Sequence, residues 1–400
     1  MLQKLMAPLG KLKEPLAKAM APLGKLTGGN PLIPGIVAFV ALAVIVPPLL
    51  AGYWIFLVTA GLLTTITAMG LAIIVGWVGE VNLAGAGLLG ASVYVTGYFY
   101  RVGDSRLNGW PFIPAALTGI LFAAFLSGMV AIPTARFSGI YVMVLTLGLQ
   151  ITLERTLFSF PWIIGGFGRN VIVNRPKFLG VSFDSDLRFF YLCLAAAVAA
   201  GLFVNALRNS RHGRAMNLIR TDKRAAAAVG ISPWRYKILA FAIGGGLIGV
   251  AGAFTAPLYR SPPAIVQFIA FQSLFLLAIP VVAGTRTLLG IASVALSFAL
   301  IPQALESHHL SPFLLGGIGL IAGTIVGPGG LGGNLLDILQ KQKEVAILSA
   351  VGLAVDVEAE VDLTVAPTPA RVETDNGGGP SVAADGDEIV LRDRPPRLKA

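Results

Sequence analysis

The stretch that decides the fold is residues 208–237, RNSRHGRAMNLIRTDKRAAAAVGISPWRYK. It lies between two long apolar spans, 188–207 and 237–257. Its single acid before the second span is Asp222, whereas its cations are Arg208, Arg211, Arg214, Arg220, Lys223, Arg224 and Arg235. Membrane proteins retain such basic loops on the cytoplasmic side. The segment therefore predicts a membrane-embedded chain and also the side on which this loop lies.

The overall composition is that of a membrane protein. Of the 400 residues, 55% are hydrophobic and 12% are charged, and the mean hydropathy is +0.78. A soluble domain has about 25% charged residues. The formal net charge of +10 reflects cations held in loops, so we expect no nucleic acid partner. The single cysteine, Cys193, lies in a predicted span and excludes an intramolecular disulfide.

Apolar spans recur along most of the chain. Most are close to the length of about 20 residues that crosses a hydrocarbon core of about 30 Å. We predict an all-α polytopic membrane protein with about eight to ten transmembrane or re-entrant helices. The span 82–100 is rich in glycine and alanine and is a candidate for a broken or re-entrant helix. The predicted spans are 32–51, 53–75, 82–100, 112–132, 138–160, 188–207, 237–257, 266–284, 287–304 and 311–327.

The charges of the loops predict the topology and the domain organisation. Residues 1–31 are lysine-rich and are expected to be cytoplasmic or interfacial. Residues 32–335 form the predicted transmembrane domain, and alternation places its loop 208–236 inside and 161–187 outside. Residues 336–400 are predicted to be a largely disordered cytoplasmic tail, with a peptide that docks on a partner as the alternative. Both termini are expected inside the cell.

A short helix is predicted within the basic loop. Thr221 or Asp222 can cap its start, residues 223–229 include four consecutive alanines, and Gly230 can close it in the left-handed conformation. A helix of about two turns is marginal alone, which suggests that it docks on a partner. Arg220 and Arg224 flank the small-residue surface of Ala225 and Ala226 and can pair with acids there. The alternative is an ordinary loop whose charge serves topology only.

Catalytic and nucleotide-binding motifs are absent from the sequence. No phosphate loop G-x-x-x-x-G-K-[ST], no H-E-x-x-H and no clustered Cys/His set occurs, so we expect no enzyme activity, cofactor or metal site in this chain. GAGLLG at 85–90 matches a dinucleotide fingerprint but lies within an apolar span, so its glycines are expected to serve close helix packing. The stripe Gly245, Gly249 and Ala253 is expected to do the same.

Polar side chains inside the apolar spans are candidates for a substrate pathway, because they are costly in a membrane. Their alternative role is hydrogen bonding between helices. Lys237 and Tyr236 are expected at the level of the lipid headgroups. The pathway candidates are Glu80, Asn82, Gln150, Glu154, Gln272 and Ser273.

The sequence resembles the permeases of branched-chain amino acid ABC importers, specifically the M-type subunit. The likeness covers roughly residues 32–335 and is most specific around the basic loop. Looser matches are Gly139-Ile140-Tyr141, the segment 165–168 and the segment 328–331. The closest matches to the family pattern are Gly213-Arg214, Ile219-Arg220, Asp222, Ala225-Ala226, Gly230-Ile231, Lys237, Ala240-Phe241 and the segment 249–253.

The resemblance implies a function and a set of partners. It implies a permease in the bacterial inner (plasma) membrane that forms the translocation pathway for branched-chain or other small apolar amino acids. Two ABC ATPase subunits would use ATP, a second permease would complete the pathway, and a solute-binding protein would act outside. It assigns ATPase coupling to Arg220, Thr221, Asp222, Arg224, Ala225, Ala226 and Gly230. The stripe at Gly245 and Gly249 is then a candidate interface with the second permease.

Two segments depart from the family pattern and leave the substrate open. Residues 79–85, GEVNLAG, replace a Gln, a Ser and a His of the family's G-Q-x-S-L-G-H, and residues 283–287 replace its GG-x-G-[ST]. Related permeases for urea, short amides or pentoses are therefore alternatives. An ion-coupled secondary transporter is a further alternative, although it would need central acids or inverted repeats.

Overall fold

The computed structural model describes residues 52–100, 109–134, 139–159, 173–178, 181–260, 268–285 and 287–304. The predicted spans 32–51 and 311–327 and the segments 1–31 and 336–400 lie outside these residues.

The described chain is almost entirely helical. α1 (Gly52–Ile73) continues into a π-helical turn, Ile74–Val78, and α4 (Ile140–Arg155) is followed by a 3-10 turn, Leu157–Ser159. The other helices are α2 (Gly85–Tyr100), α3 (Phe112–Thr134), α5 (Asp186–Asn209), α6 (Arg211–Thr221), α7 (Lys223–Ala228), α8 (Pro233–Tyr259), α9 (Ala270–Ala283) and α10 (Leu288–Ala304). Two short strands, β1 (Lys177–Phe178) and β2 (Val181–Ser182), pair antiparallel.

The helix lengths confirm an all-α polytopic membrane protein. Within the described residues, five helical segments are long and apolar enough to cross a membrane: Gly52–Val78, Phe112–Thr134, Ile140–Ser159, Asp186–Asn209 and Pro233–Tyr259. α9 and α10 are shorter and apolar, and α2 is also short. Each of these eight helices overlaps a predicted span.

The bundle has two ends, which lie at opposite ends of α1. At one end, a Cβ added at Gly52 would lie 3.6 Å from the carboxylate of Asp186, next to the β1–β2 hairpin. At the other end, Gly76 accepts a hydrogen bond from Arg220 of α6. We call these ends the hairpin side and the α7 side.

The hairpin within the predicted external loop was not expected from sequence. The Arg175 guanidinium holds it by donating to the Asp184 carbonyl (2.7 Å) and pairing with Asp186.

α8 is the central helix, and its glycines allow three neighbours to approach closely. A Cβ at Gly244 would lie 2.7 Å from the carbonyl oxygen of Gly70 in α1, and one at Gly252 would lie 2.6 Å from that of Leu89 in α2. The Ser127 hydroxyl of α3 donates to the Phe241 carbonyl (2.7 Å). Small residues thus bring helix backbones together where lipid offers no hydrophobic drive for association.

The stripe Gly245, Gly249 and Ala253 packs within this chain. A Cβ at Gly245 would lie 2.9 Å from the carbonyl oxygen of Ala123, and one at Gly249 would lie 2.9 Å from Cα of Ile120. Both neighbours belong to α3. The predicted close packing is confirmed, but the predicted interface with a second permease at this stripe is wrong, because α3 already covers it.

α2 begins inside the bundle, as its glycine-rich sequence suggested. Residues 79–84 are not helical. Gly85 then starts α2 beside Leu71, with 3.3 Å between an added Cβ and the leucine Cδ1. Leu71 is seven residues before the end of the π turn at Val78, which corresponds to about 10 Å along the helix axis at about 1.5 Å per residue. The chain therefore turns back into the bundle before α2 begins, and α2 is a short continuous helix that starts after the non-helical segment 79–84.

Candidate functional site

The basic loop folds into two short helices. Ser210 caps α6 by accepting a hydrogen bond from the backbone N–H of Gly213 (3.3 Å). α6 buries Ala215, Met216 and Ile219 on one face. The sequence predicted only the second helix, α7, although the apolar positions of α6 recur at helical spacing and are a readable signal.

α7 has the predicted caps at both ends. The Asp222 carboxylate accepts from the N–H groups of Arg224 (2.7 Å) and Ala225 (3.2 Å). Gly230 has a φ of 79°, and its N–H and that of Ile231 close the last turn. This pair of hydrogen bonds is the Schellman arrangement, which requires a left-handed residue. Thr221 instead ends α6, since its hydroxyl donates to the Asn217 carbonyl (3.1 Å).

The exposed face of α7 differs from the one that the alanine run suggested. Ala226 is fully buried against its own chain, so it is not available to a partner in this conformation. Ala225, Ala227 and Ala228 are exposed. Val229 follows them with 68% of its surface exposed. The accessible surface of α7 is therefore small and apolar.

Arg220 points toward the bundle. Its guanidinium donates a hydrogen bond to the Gly76 carbonyl in the π-helical turn after α1. Gly79 has a φ of 75° and lies against the same side chain. A Cβ added at Gly79 would lie 3.3 Å from Cγ of Arg220. Arg220 thus ties α6 to the end of α1, while Arg224 remains exposed on α7.

A buried acid lies beneath α7. The Glu80 carboxylate, whose side chain is 1% exposed, is 2.5 Å from Nζ of Lys237 and 3.3 Å from Nζ of Lys223. It also accepts from the N–H of Gly139 at the start of α4 (3.3 Å). Lys237 donates in addition to the Thr134 carbonyl at the end of α3 (3.2 Å). One carboxylate therefore joins α3, α4, α7 and α8.

The partner of Lys237 was not predicted from the sequence. Lys237 was expected at the level of the lipid headgroups, and the structure adds that its side chain is only 4% exposed and pairs with Glu80. Lys223 was not singled out at all. The signal in the sequence was an unpaired acid, Glu80, in an apolar region, which requires a cation nearby.

Asn82 has a local role in the segment 79–84. Its side-chain oxygen accepts from the N–H of Ala84 (2.9 Å). The adjacent N–H of Leu83 donates to the Thr146 hydroxyl of α4 (3.0 Å). Both bonds satisfy backbone groups that the break before α2 leaves without helical partners.

Gln150 and Ser273 meet at the start of α2, deep in the bundle. The Gln150 side-chain oxygen accepts from the N–H of Gly87 (2.6 Å), and the Ser273 hydroxyl accepts from that of Ala86 (2.9 Å). The Ser273 hydroxyl donates to the same Gln150 oxygen (2.9 Å). Gln150 also donates to the Phe268 carbonyl (2.6 Å). Both side chains thus cap helix ends within the membrane domain.

The last two pathway candidates lie at the edge of this cluster. Glu154 is half-buried and accepts from the Gln150 amide (3.1 Å). Gln272 is half-buried on α9 beside Ser273. The structure brings Gln150, Glu154 and Ser273 together, whereas Glu80 belongs to the separate cluster under α7. Within the described residues, no group of His, Cys, Asp and Glu could hold a metal ion.

A multi-pass helical bundle with a capped helix tied to its buried acid is the architecture of a polytopic membrane protein. The chain belongs to the family described as the permease component of the branched-chain amino acid transport system, whose model matches residues 53–322. It is thus a transmembrane permease of a branched-chain amino acid ABC importer. A permease of this class is a transport subunit, is not itself an ATPase, and works with ATPase partners and a binding protein.

Two relatives show the extent of the similarity. The chain is 26% identical over 312 residues to the high-affinity branched-chain amino acid transport system permease protein LivM of Escherichia coli strain K12. It is 27% identical over 314 residues to the protein of the same name from Salmonella typhimurium strain LT2. Each match covers 71% of this chain and 71% of the relative. No solved structure matches the chain.

Proposed function

We propose that the α7 side of this permease is cytoplasmic and that α7 binds an ATPase subunit there. The observation that carries the proposal is the two-sided character of α7. Its outer face is exposed at Ala225, Ala228 and Val229, while Ala226 and Lys223 fasten its inner face to the membrane domain. When a bound partner displaces a helix that is held in this way, the displacement acts on the membrane domain. Docking of α7 is favoured over a merely basic loop for this reason.

The apolar surface extends beyond α7. Trp234, at the start of α8, has 49% of its surface exposed, and the Arg235 guanidinium lies 5.4 Å from its ring centre. Exposed apolar side chains rimmed by Arg224 and Arg235 match the general anatomy of a protein interface. A groove with an apolar floor and acidic edges on the ATPase would complement this surface.

The class of the protein supports a proposal for the rest of the assembly. In the proposal, two ATPase subunits act on a pair of permeases, this chain and a second permease, in the bacterial inner membrane. A solute-binding protein delivers the amino acid on the hairpin side, and both termini of this chain are cytoplasmic. ATP is used by the partner subunits, and this chain holds no cofactor. Each nucleotide state favours a different orientation of the pathway.

The polar candidates divide into two groups in this proposal. Glu154 and Gln272 are half-buried and are proposed to line the pathway. Gln150, Ser273, Asn82 and Glu80 bond to backbone groups of their own chain, which supports a role in holding the segment 79–84 and the start of α2.

Binding of the ATPase can be tested by enlarging one exposed side chain of α7. Ala225→Arg places a long cation on the proposed contact surface, whereas Ala225→Ser keeps the side chain small. Tagged permease should retain the ATPase subunits on purification with Ala225→Ser and lose them with Ala225→Arg, while both variants insert normally in the membrane. Retention of the ATPase by Ala225→Arg would refute docking at α7.

The orientation can be tested by cysteine labelling, because the native Cys193 is fully buried. Cysteines are placed at Asp184 on the hairpin side and at Asn217 on α6, both exposed. In intact cells with a permeable outer membrane, an impermeant maleimide should label only Asp184→Cys. Opening the cells should then expose Asn217→Cys. The reverse pattern would invert the proposed topology.

The substrate can be tested through the binding protein that operates with this permease. Calorimetry should show binding of leucine, isoleucine or valine, and reconstituted transporter should take up the same amino acid. Binding of urea, short amides or pentoses alone would assign the departures at residues 79–85 and 283–287 to a change of substrate.

A further inference from the structure

We propose that Glu80 and Lys223 transmit movement of α7 to the start of α2, so that Lys223 is a coupling residue rather than a docking residue. The proposal rests on the proposed binding of an ATPase to α7. It assigns a role to an ion pair that joins elements 143 residues apart in sequence.

Glu80 is well placed to receive a displacement. It lies in the non-helical segment 79–84, five residues before α2 begins at Gly85. A buried carboxylate is strongly unfavourable without cationic or hydrogen-bond partners, so the gain or loss of one partner changes the position in which its segment is most stable. Lys223 of α7, Lys237 of α8 and the Gly139 N–H provide them.

The two lysines have different environments. Lys237 is buried, 2.5 Å from Glu80, and also bound to the Thr134 carbonyl. Lys223 has 46% of its side chain exposed and lies 3.3 Å from the same carboxylate oxygen. If α7 moves away, Glu80 keeps Lys237 and the Gly139 N–H. The contact with Lys223 can therefore break and re-form without leaving the acid unpaired, as a reversible contact requires.

The segment that carries Glu80 leads directly to the pathway helices. Leu83 donates to Thr146 of α4. The first N–H groups of α2 are held by Ser273 of α9 and by Gln150 of α4. A shift of the segment 79–84 thus acts on three helices at the depth where α2 begins. This is a contiguous set of bonded groups between α7 and the interior of the bundle.

Arg220 provides a second contact along the same route. Its hydrogen bond to the Gly76 carbonyl reaches the π-helical turn that precedes the segment. π-helical turns are frequent at functional sites, and Gly79 closes this one in the left-handed conformation. In the segment that follows α1, Gly76 therefore contacts α6 and Glu80 contacts α7.

The test uses the complete transporter in proteoliposomes, with ATPase subunits and binding protein. Lys223→Met removes the ammonium and keeps an unbranched side chain, and Lys223→Arg restores a cation. Arg211→Met is the matched control, because it removes one exposed cation from α6. Three quantities are measured: ATPase retained on purification, stimulation of ATP hydrolysis by loaded binding protein, and solute uptake.

Lys223→Met should retain the ATPase and lose stimulation and uptake by about fivefold or more, the lower end of typical coupling between sites. Lys223→Arg should recover most of the loss, and Arg211→Met should behave as the unchanged protein. Unchanged stimulation in Lys223→Met would overturn the inference. Loss of the ATPase from Lys223→Met would also overturn it, by placing Lys223 in the docking surface. Failure of docking itself is reported separately by Ala225→Arg.

Discussion

The Glu80 carboxylate lies 2.5 Å from the ammonium of Lys237, and both side chains are almost completely buried. Neither residue belongs to an ordinary span interior. Glu80 lies in the break between α1 and α2, and Lys237 lies in the second turn of α8. The pair closes the α7 side of the bundle around the ends of α3 and α4.

The first prediction concerns this pair. Lys237→Met leaves the buried acid with the exposed Lys223 as its one cation beside the Gly139 N–H, and should lower stability by about 3–5 kcal/mol. The double variant Glu80→Gln with Lys237→Met removes both charges and should recover much of the loss, because the two sites are directly coupled. Thermal unfolding of purified permease in detergent measures both. Equal loss in the single and double variants would show that the pair is not coupled.

The second prediction concerns the contact between α8 and α3. Gly249→Ala places a Cβ 2.9 Å from Cα of Ile120, so the helices must separate, at about 1–3 kcal/mol. Gly246→Ala is the control, because its Cβ meets Ala124 at an ordinary 3.6 Å. The control should be neutral or slightly stabilising, since alanine favours helix over glycine. Size-exclusion chromatography after heating measures the temperature at which half of the monodisperse peak is lost, and this temperature should be lower for Gly249→Ala than for Gly246→Ala.

The third prediction concerns the N-cap of α7. Asp222→Ala removes the acceptor for two N–H groups and should destabilise the helix by about 1 kcal/mol. Hydrogen exchange of the amides in α7 should accelerate about fivefold, with little change in α8. Asp222→Asn keeps a side-chain oxygen and should exchange like the unchanged protein. Identical exchange in Asp222→Ala would mean that tertiary contacts alone hold α7.

The fourth prediction separates a structural role of Gln150 from a role in the pathway. Gln150→Met leaves the Gly87 N–H and the Phe268 carbonyl unpaired inside the bundle, at about 1–3 kcal/mol each. Gln272→Met, on the half-buried neighbour of Ser273, should leave stability nearly unchanged. Thermal unfolding and the KM for solute uptake are measured together. A changed KM with unchanged stability in Gln150→Met would assign this side chain to the pathway.

Local features were predictable from the sequence because they depend on neighbouring residues. The apolar spans, the basic loop, the Asp222 cap and the left-handed Gly230 all express interactions within a few positions of one another. An irregular span was also predicted here, since residues 82–100 are rich in glycine and alanine. α6 was not predicted, although its buried residues Ala215, Met216 and Ile219 recur at helical spacing.

The partners of the polar residues were decided by the tertiary structure. Gln150 and Ser273 are 123 residues apart, and Lys223 and Glu80 are 143 apart. Their sequence neighbourhoods do not show which helices adjoin. The glycine stripe on α8 likewise predicted a close contact with another helix. It did not show that this helix would be α3.

Hydropathy, charge and capping are local properties, so the residues alone specified a multi-pass helical membrane protein, its family and the short capped helix. The pairing of Glu80 with Lys237 and Lys223 depends on how the helices pack, and so does the capping of a helix inside the bundle by Gln150 and Ser273. A buried polar group must find a partner in space. The packing of whole helices determines which partner is within reach.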